Sequence, residues 1–553
     1  MTEPNSRGDG HARKDLSKSR SLLRSGAVVS AMTMLSRIFG LLRDVVLARV
    51  LGAGAEADAF FVAFKIPNFF RRLFAEGAFS QAFVPVLSEY REAGSQEAAR
   101  LLIAKVAGNL GSILIALTVI VVVASPLLAG LFGMGFLLSG DHSSFWLTSD
   151  LLRITFPYLF FISITGLCSA VLNCYDRFAV PAFTPVLLNI SLILAALFLA
   201  PQFGDSTRAA VFALAWGVFI AGCVQMAFQL PFLARIHMLP KPAIDWQDSG
   251  VRKILTLMVP ALFGVSIAQI NLLLDTIIAT FLPAGSVSWL YFSDRLTELP
   301  LGVFGVGIAT VVLPALSRSF VTIRDNNRDQ DRMLYSDTLN WGLRIIFLIG
   351  IPATVALTII SKPVLILLFY YDAMQLSDIE MSSLSLRAYA LGLTGFMAVK
   401  VLASGFYARQ DMKTPVKIGV IALISNMVLN LLFVVPLYHF YDIGHVGLAL
   451  ATSCSAALNA SLLCMALRRQ NAFFPKGWAR FLLQLGFASI LMAAVLHMLT
   501  NAMQDFHELT LLWRLANVGA LIAAGGLTLL AALFIAGFRL ADLRQPVVAN
   551  TPD

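Results

Sequence analysis

Long apolar segments, separated by short polar connections, follow one another along most of the chain after residue 25. A helix that crosses the hydrocarbon core of a bilayer needs about 20 mostly apolar residues. About fourteen segments meet that requirement. They begin near residues 26, 58, 102, 149, 180, 209, 254, 286, 341, 384, 415, 444, 480 and 513. The pattern predicts an all-α integral membrane protein with about 14 transmembrane helices.

The first 25 residues are polar and basic, and they contain few apolar side chains. This segment lacks the apolar core and the small-residue cleavage site of a secretory signal peptide. We therefore expect residues 1–25 to form a disordered basic tail and the first apolar segment to be retained as a helix.

Short motifs recur about 230 positions apart and in the same order, which indicates an internal duplication. The matching pairs are Phe83–Ser88 with Val312–Ser317, Tyr175–Arg177 with Tyr407–Arg409, and Thr184-Pro185 with Thr414-Pro415. The period covers six predicted helices, an even number, so both copies should cross the membrane in the same orientation. The sequence predicts two parallel six-helix lobes followed by two C-terminal helices.

The predicted domain bounds follow from this repeat. The N-lobe covers residues 26–236 and the C-lobe covers residues 250–469. Two further helices occupy residues 479–539, and residues 540–553 form a tail. Lysine and arginine concentrate in one of the two alternating sets of loops, which is the cytoplasmic set in membrane proteins. We expect a multi-pass protein of the bacterial cytoplasmic membrane with both termini in the cytoplasm.

Composition supports a membrane protein and weakens other assignments. Hydrophobic residues make up 58% of the chain and charged residues 13%, whereas soluble proteins average about 25% charged residues. The net charge of +9 is spread over short loops, so we expect no nucleic-acid partner. The five cysteines lie in apolar segments without a CxxC motif, so neither a disulfide framework nor a zinc site is expected.

Charged residues inside three predicted helices are the candidate binding groups. An ionised side chain at the bilayer centre costs at least about 2.5 kcal/mol, so it normally faces a cavity or a partner. Helix 1 carries Arg37, Arg43 and Asp44, helix 2 carries Lys65, Asn68, Arg71, Arg72 and Glu76, and helix 8 carries Asp294, Arg295 and Glu298. Helical periodicity places Arg72, rather than Arg71, on the same stripe as Lys65, Asn68 and Glu76.

Two interpretations of these charges remain open. The groups could neutralise one another, pairing Arg37 with Asp44, Arg72 with Glu76, and Arg295 with Glu298. Taken together, however, the cations outnumber the acids. A surplus of buried arginine favours an external anion, and the planar guanidinium group suits a phosphate because it donates two charge-assisted hydrogen bonds.

The residues around these charges resemble the MurJ (MviN) family of lipid II flippases, within the MOP exporter superfamily. The resemblance extends from about residue 26 to beyond residue 540. Its motifs are Ser36–Asp44, Asp58–Asn68, Arg71–Phe83, Gly285–Trp289 with Asp294-Arg295, and Phe406–Asp411 with Lys413–Pro415.

This resemblance implies a transporter, not an enzyme, that moves lipid II, an undecaprenyl-diphosphate-linked muropeptide, to the periplasmic leaflet by alternating access. It implies substrate-binding roles for Arg37, Arg43, Arg71 and Arg295, with Asp44 and Asp58 as supporting acids. The family thus favours Arg71 where periodicity favours Arg72. It also implies that the last two helices form a groove for the lipid tail. The expected partners are lipid II and membrane lipids, and the expected state is a monomer.

A sodium site is a further hypothesis, and no other cofactor is expected. Asp275 lies in an apolar segment of helix 7, Asn426 and Asn430 lie four apart on one face of helix 11, and Thr452 lies in helix 12. Oxygen ligands suit a hard cation. Some family members carry a second acid where Asn430 stands, and a hydrogen-bonded Asp–Asn cluster without an ion is the alternative.

Two rival functions follow from the same pattern. A polysaccharide-lipid flippase or drug antiporter of the same superfamily would share the two lobes, although a drug antiporter should carry buried acids for cationic drugs. A membrane glycosyltransferase would need carboxylates or a metal site at the membrane face, and the loop acids show no ligand spacing.

Overall fold

The chain forms a succession of α-helices in a computed structural model that describes residues 8–72, 79–93, 95–326, 329–475, 477–503, 506–539 and 543. The side chains of residues 8–25, 27, 260, 261, 263–268, 324–326 and 329–331 also lie outside the described part. The helices are α1 (Gly8–Leu51), α2 (Ala55–Phe70), α3 (Phe79–Glu92), α4 (Gln96–Val123), α5 (Ser125–Phe132), α6 (Met134–Leu138), α7 (His142–Thr155), α8 (Tyr158–Cys174), α9 (Ala179–Leu194), α10 (Ala200–Phe203), α11 (Thr207–Arg235), α12 (Ser249–Ala279), α13 (Ser286–Pro300), α14 (Val306–Asn326), α15 (Asp329–Phe369), α16 (Leu376–Tyr407), α17 (Lys413–Tyr441), α18 (Gly444–Arg469), α19 (Trp478–Asn501) and α20 (Leu511–Ile535).

Eleven helical segments of the described chain are long and apolar enough to cross a membrane. Three more predicted spans correspond to α1, α2 and α12, so each of the 14 predicted spans coincides with helical structure. The described residues contain no β-strand. The prediction of an all-α membrane protein is confirmed.

The first helix starts earlier than the sequence pattern suggested. Helix α1 begins at Gly8, whereas residues 1–25 were expected to be a disordered tail. Residues 9–25 contain alanine, leucine, lysine and arginine and no proline, and these residue types have favourable helix propensity. Polarity alone therefore did not distinguish a helix that extends beyond the membrane from a disordered tail. Residues 1–7 lie outside the described part.

The first of two structural units consists of residues 1–50, 62–133 and 142–269. Its main core joins α3, α4, α8, the end of α11 and the beginning of α12, and its fully buried members include Phe83, Leu87 and Leu172. In its fourth span, α7 and α8 are separated at Phe156-Pro157, where proline lacks the N–H that an unbroken helix would use.

The second unit consists of residues 51–61, 134–141 and 270–553. Its largest core joins α14, α15, α16 and α18 around Leu339, Val401 and Phe406. The two C-terminal helices, α19 and α20, pack against α15 through smaller clusters that contain Leu485 and Leu521. The lobe bounds, the tail groove and the C-terminal tail stay predictions.

The connection between the two repeats, which joins α11 to α12, is attached to α4 of the first unit. The Lys105 ammonium contacts Asp245 at 2.9 Å and Asp248 at 2.7 Å, and the Ala243 amide donates to the Ala104 carbonyl at 3.0 Å. A Cβ atom at Gly108 would clash with the Ala243 carbonyl. The hydrogen bond from Lys105 holds the pKa of Asp245 below its usual range. This connection is therefore fixed by charge and by close backbone contact.

Candidate functional site

Arg43 and Asp44 form a buried ion pair near the end of α1. Their residues are 6% and 2% exposed, and the Arg43 Nη2 atom lies 2.7 Å from Asp44 Oδ1. The Arg43 Nη1 atom donates to Asn189 Oδ1 on α9 at 3.0 Å. Asn189 in turn donates to the Ser36 carbonyl at 3.1 Å. This network connects the middle of α1 to α9.

The pairing differs from the alternative in which Arg37 neutralises Asp44. Arg37 and Asp44 are seven positions apart, which corresponds to about 10 Å of rise along a helix. The guanidinium group of Arg43 instead folds back onto the carboxylate of Asp44. Arg37 is half-buried. Asp44 therefore neutralises Arg43. The anion-binding role of Arg37 stays a prediction.

Arg71 lines a cavity of about 330 Å³ inside the first unit. Its Nε atom donates to Asn68 Oδ1 at 3.2 Å, and the Asn68 amide donates to the Phe64 carbonyl at 2.8 Å. Asn189, the partner of Arg43, lines the same cavity. Three predicted site residues, Asn68, Arg71 and Arg43, are thereby connected to one polar region.

Two glutamines on α11 hold buried amide groups in the first unit. Gln225, which is 2% exposed and lines the cavity, donates through Nε2 to the Thr184 carbonyl at 3.1 Å. Because a carbonyl only accepts, the Gln225 Oε1 atom must point away from it. That oxygen is buried and has no partner among the described residues.

Gln229 repeats this arrangement one helical turn later. It is fully buried, and its Nε2 atom donates to Thr184 Oγ1 at 2.8 Å. Thr184 itself donates to the Val180 carbonyl, so its hydroxyl oxygen accepts from Gln229 and the amide orientation is fixed. The Gln229 Oε1 atom likewise has no partner in the described chain. The first unit thus holds two buried amide oxygens without a partner among the described residues, and one of them belongs to Gln225, which lines the cavity.

The other predicted cations differ in their surroundings. Lys65 and Arg72 are half-buried, and Glu76 lies outside the described residues, so the proposed Arg72–Glu76 pair has no structural description. The Arg295 Nη1 atom contacts Glu298 Oε2 at 2.6 Å, and its guanidinium group lies 4.9 Å from the centre of the Tyr291 ring. The local neutralisation considered for Arg295 is therefore present.

Asp58 has contacts that its sequence position did not suggest. It is 2% exposed, and it accepts hydrogen bonds from the Gly285 amide at 2.7 Å and the Ser288 amide at 2.8 Å. The Ser288 hydroxyl also donates to it, at 2.5 Å. Asp58 thus caps the start of α13, and its role with substrate stays a prediction.

The four residues proposed for a sodium site lie together in the second unit. Asp275 Oδ1 accepts from the amides of Asn426 at 3.1 Å and Asn430 at 2.7 Å, and Asp275 Oδ2 accepts from the Thr452 hydroxyl at 3.1 Å. Asn271 joins the cluster through Asn426 at 2.7 Å. The amide oxygens of Asn426 and Asn430 are buried without a partner among the described residues.

The comparisons with known proteins agree on one family. The family model of lipid II flippase MurJ matches residues 47–517. The probable lipid II flippase MurJ of Vibrio cholerae is 47% identical over 536 residues, which covers 96% of this chain and 99% of the relative. The chain belongs to the MurJ family of lipid II flippases. The lipid II flippase MurJ of Burkholderia cenocepacia is also similar, with 41% identity over 86% of this chain and 90% of the relative.

A solved MurJ structure in an inward closed conformation has the same fold. It is 28% identical, with a TM-score of 0.75, and the alignment covers 92% of this chain and 98% of that one. An inward-facing multidrug MATE transporter of the MOP superfamily aligns at 14% identity, with a TM-score of 0.63, over 81% of this chain and 98% of that one. The second likeness shows a shared fold alone. The family resemblance drawn from the sequence motifs is confirmed.

Residues that the motif-based reasoning missed are polar but uncharged. Gln225, Gln229 and Asn271 were not selected, because the search through the MurJ-like helices followed charge. Two glutamines four positions apart in an otherwise apolar helix were the signal for the first pair. Asn271, four positions before Asp275, was the corresponding signal in the second unit.

Proposed function

We propose that this chain translocates lipid II from the cytoplasmic to the periplasmic leaflet by alternating access. The observation that carries this proposal is the cavity of the first unit, where Arg71 and the Arg43 partner Asn189 lie together inside a membrane-spanning bundle. Family membership supports the same function. The polar cavity distinguishes the proposal from a general hydrophobic exporter.

The chemistry of the cavity fits an anionic, heavily hydroxylated guest. A guanidinium group donates paired hydrogen bonds to phosphate oxygens and stays protonated at physiological pH. Gln225 lines the cavity and has an unpartnered amide oxygen, an acceptor that suits the hydroxyl and amide donors of a sugar. A diphosphate-linked sugar headgroup offers both kinds of group.

Arginine also reduces the electrical cost of export. A membrane potential that is negative inside opposes outward movement of an anion by about 2.3 kcal/mol per charge per 100 mV. An anion carried beside a guanidinium group moves with little net charge, so that cost falls. We therefore propose that Arg71 accompanies the phosphate groups during translocation.

The test is a flipping assay with purified protein in vesicles that contain fluorescent lipid II. We expect Arg71→Gln to reduce the initial rate at least about tenfold, the size of one lost charge-assisted hydrogen bond. Arg71→Lys should keep part of the activity. Arg100→Gln, which removes an exposed charge, is the matched control. Wild-type flipping by Arg71→Gln, with intact folding, would refute the role of Arg71.

The same assay separates a transporter from an enzyme. A transporter returns unchanged lipid II in the opposite leaflet, and a glycosyltransferase returns a new product. We propose that the chain performs no covalent step, acts as a monomer in the cytoplasmic membrane, and has both termini in the cytoplasm.

We further propose sodium as a coupling ion that binds at Asp275, Asn426, Asn430 and Thr452. The support is geometric, because these four side chains from α12, α17 and α18 meet within hydrogen-bond distance. Rotation of the two asparagine amides would turn oxygen atoms towards the carboxylate and create an all-oxygen set of the kind that a hard cation prefers.

A further inference from the structure

A serine–serine–arginine cluster ties α5 to α7 in the first unit. The Arg153 Nε atom donates to Ser125 Oγ at 2.8 Å, and Ser125 Oγ lies 3.1 Å from Ser149 Oγ. Both serines are fully buried. The Arg153 side chain is 46% exposed, and its Nη1 atom contacts Asp150 at 3.1 Å.

The second unit contains the same cluster. The Arg387 Nε atom on α16 donates to Ser361 Oγ on α15 at 3.0 Å, and Ser361 Oγ lies 3.3 Å from Ser383 Oγ. Ser361 is fully buried and Ser383 is 3% exposed, whereas Arg387 is exposed. Among the described residues, the terminal nitrogens of Arg387 have no recorded partner, since Leu384 stands where α7 has Asp150.

Sequence positions show that the two clusters are copies. Arg153 and Arg387 lie 234 positions apart, as do Ser149 and Ser383. Each arginine is the twelfth residue of its helix. The period of six spans predicts that both helices enter the membrane from the same side. Because the same cluster occurs in both copies, we treat it as a feature of the repeat and not of a single helix.

The surroundings of each arginine resemble a membrane interface. In α7 the exposed stripe towards the helix start contains Trp146, which is 51% exposed, and exposed tryptophan is typical of the headgroup level. In α16 the corresponding position is Glu380, which pairs with Lys362 at 2.7 Å. Arginines one or two turns deeper can extend towards headgroup phosphates.

Anchoring determines how each guanidinium group is presented. The buried serine fixes the Nε side, so the terminal nitrogens face the exposed surface. A guanidinium group that is already held in place loses less conformational entropy on binding phosphate oxygens than a freely rotating one. We propose that Arg153 and Arg387 form two equivalent sites, one in each unit, that each bind the phosphodiester of a glycerophospholipid headgroup. Two sites that repeat with the fold suit surrounding lipid better than a single transported molecule, and they are separate from the Arg71 cavity.

The test counts lipids on the purified full-length protein by native mass spectrometry, with short-chain phosphatidylglycerol as the probe. We expect two retained lipids on the wild type, one on Arg153→Gln or Arg387→Gln, and none on the double variant at the same concentration. The lipid that remains on Arg387→Gln should bind more weakly than the lipid that remains on Arg153→Gln, because Asp150 already pairs with the Arg153 guanidinium group. Ser361→Ala keeps the charge but loses the anchor, so binding should weaken several-fold.

Arg208→Gln is the matched control, since Arg208 is exposed at the start of α11 and has no recorded serine anchor in the described structure. It should leave the number of bound lipids unchanged. Two retained lipids on the double variant, or a lower melting temperature with unchanged lipid binding, would mean that the clusters only lock helices together and would overturn the proposal. Displacement of the probe by an isoprenyl diphosphate at equal or lower concentration would assign the sites to the substrate instead.

Discussion

Asp44 and Asp275 lie 231 positions apart, in the first helix of each repeat, and the structure stabilises their carboxylates by different means. Asp44 is neutralised by the Arg43 guanidinium group. Asp275 accepts hydrogen bonds from the neutral side chains of Asn426, Asn430 and Thr452. An arginine keeps its charge at any physiological pH, so a permanent cation neutralises Asp44, while Asp275 is the carboxylate of the proposed sodium site.

This difference gives a prediction for single residues in the second unit. If sodium binds the folded protein at Asp275, the melting temperature should rise with sodium concentration, because a ligand of the native state stabilises it. Asp275→Asn should abolish that rise, and Asn430→Asp, which adds a second carboxylate, should enlarge it. Melting is measured in detergent at constant ionic strength, with potassium as the control. Equal melting curves in sodium and potassium would exclude the site.

At this scale, sequence reasoning selected residues that carry charge in an apolar segment, and their roles with substrate or ion stay predictions. It identified Arg43, Arg71 and Asp275 because an ionised group in the membrane needs a partner or a cavity. It missed the pairing of Arg43 with its neighbour Asp44, since helical periodicity describes side-chain directions and not the reach of a long flexible chain. It also missed Gln225, because only the structure shows that its amide nitrogen is hydrogen-bonded while its amide oxygen has no partner among the described residues.

At the scale of helices, α2 ends in a turn that α-helical periodicity did not anticipate. The helix contains Pro67, and the segment that follows it, at Arg71 and Arg72, adopts a π-helical turn. An i→i+5 turn contains more residues than an α-helical turn, so the side-chain directions at Arg71 and Arg72 depart from those that α-helical spacing predicts. Arg71 consequently lines the cavity, in agreement with the family motif.

The start of α13 depends on a side chain from another helix. Its N-cap residue, Gly285, has φ +98° and no side chain to cap the helix. Asp58 supplies the acceptors, and its negative charge also suits the positive end of the helix dipole. A helix terminus that is capped from a distance makes the local fold sensitive to a single substitution.

We predict that Asp58→Ala destabilises the protein by about 2 kcal/mol, because it leaves buried donors at Gly285 and Ser288 without an acceptor. Asp58→Asn should cost less, since one amide oxygen can still accept. The measurement is thermal unfolding in detergent, followed by the helical circular dichroism signal. Ser288→Ala, which removes only the hydroxyl bond, should have the smallest effect. A melting temperature of Asp58→Ala equal to that of the wild type would contradict the capping role.

For the whole molecule, hydropathy predicted the class and the positions of the apolar helical segments, because the bilayer thickness sets helix length. It did not predict the early start of α1 at Gly8, since the membrane imposes no length on a helix beyond its surface. The internal repeat was visible in a few motifs. The paired clusters of Arg153 and Arg387 were not, because single serines spaced far apart carry little signal.

The predicted orientation can be measured directly on the intact molecule. In a cysteine-free background, Gly140→Cys should react with a membrane-impermeant maleimide added to whole cells. Lys241→Cys should react only after the membrane is permeabilised. Both residues are exposed, so access depends on the side of the membrane and not on burial. Labelling of Lys241→Cys in intact cells would reverse the assigned topology.

The attachment of the inter-repeat connection to α4 bears on how the gene could be divided. If the coding sequence were cut after Met238, the downstream fragment would begin with a segment that carries Asp245 and Asp248. Their docking partners Lys105 and Asn109 would remain on the upstream fragment. Two co-expressed halves would therefore retain complementary binding contacts next to the cut. This makes the connection a suitable place to divide the chain into a split version of the transporter.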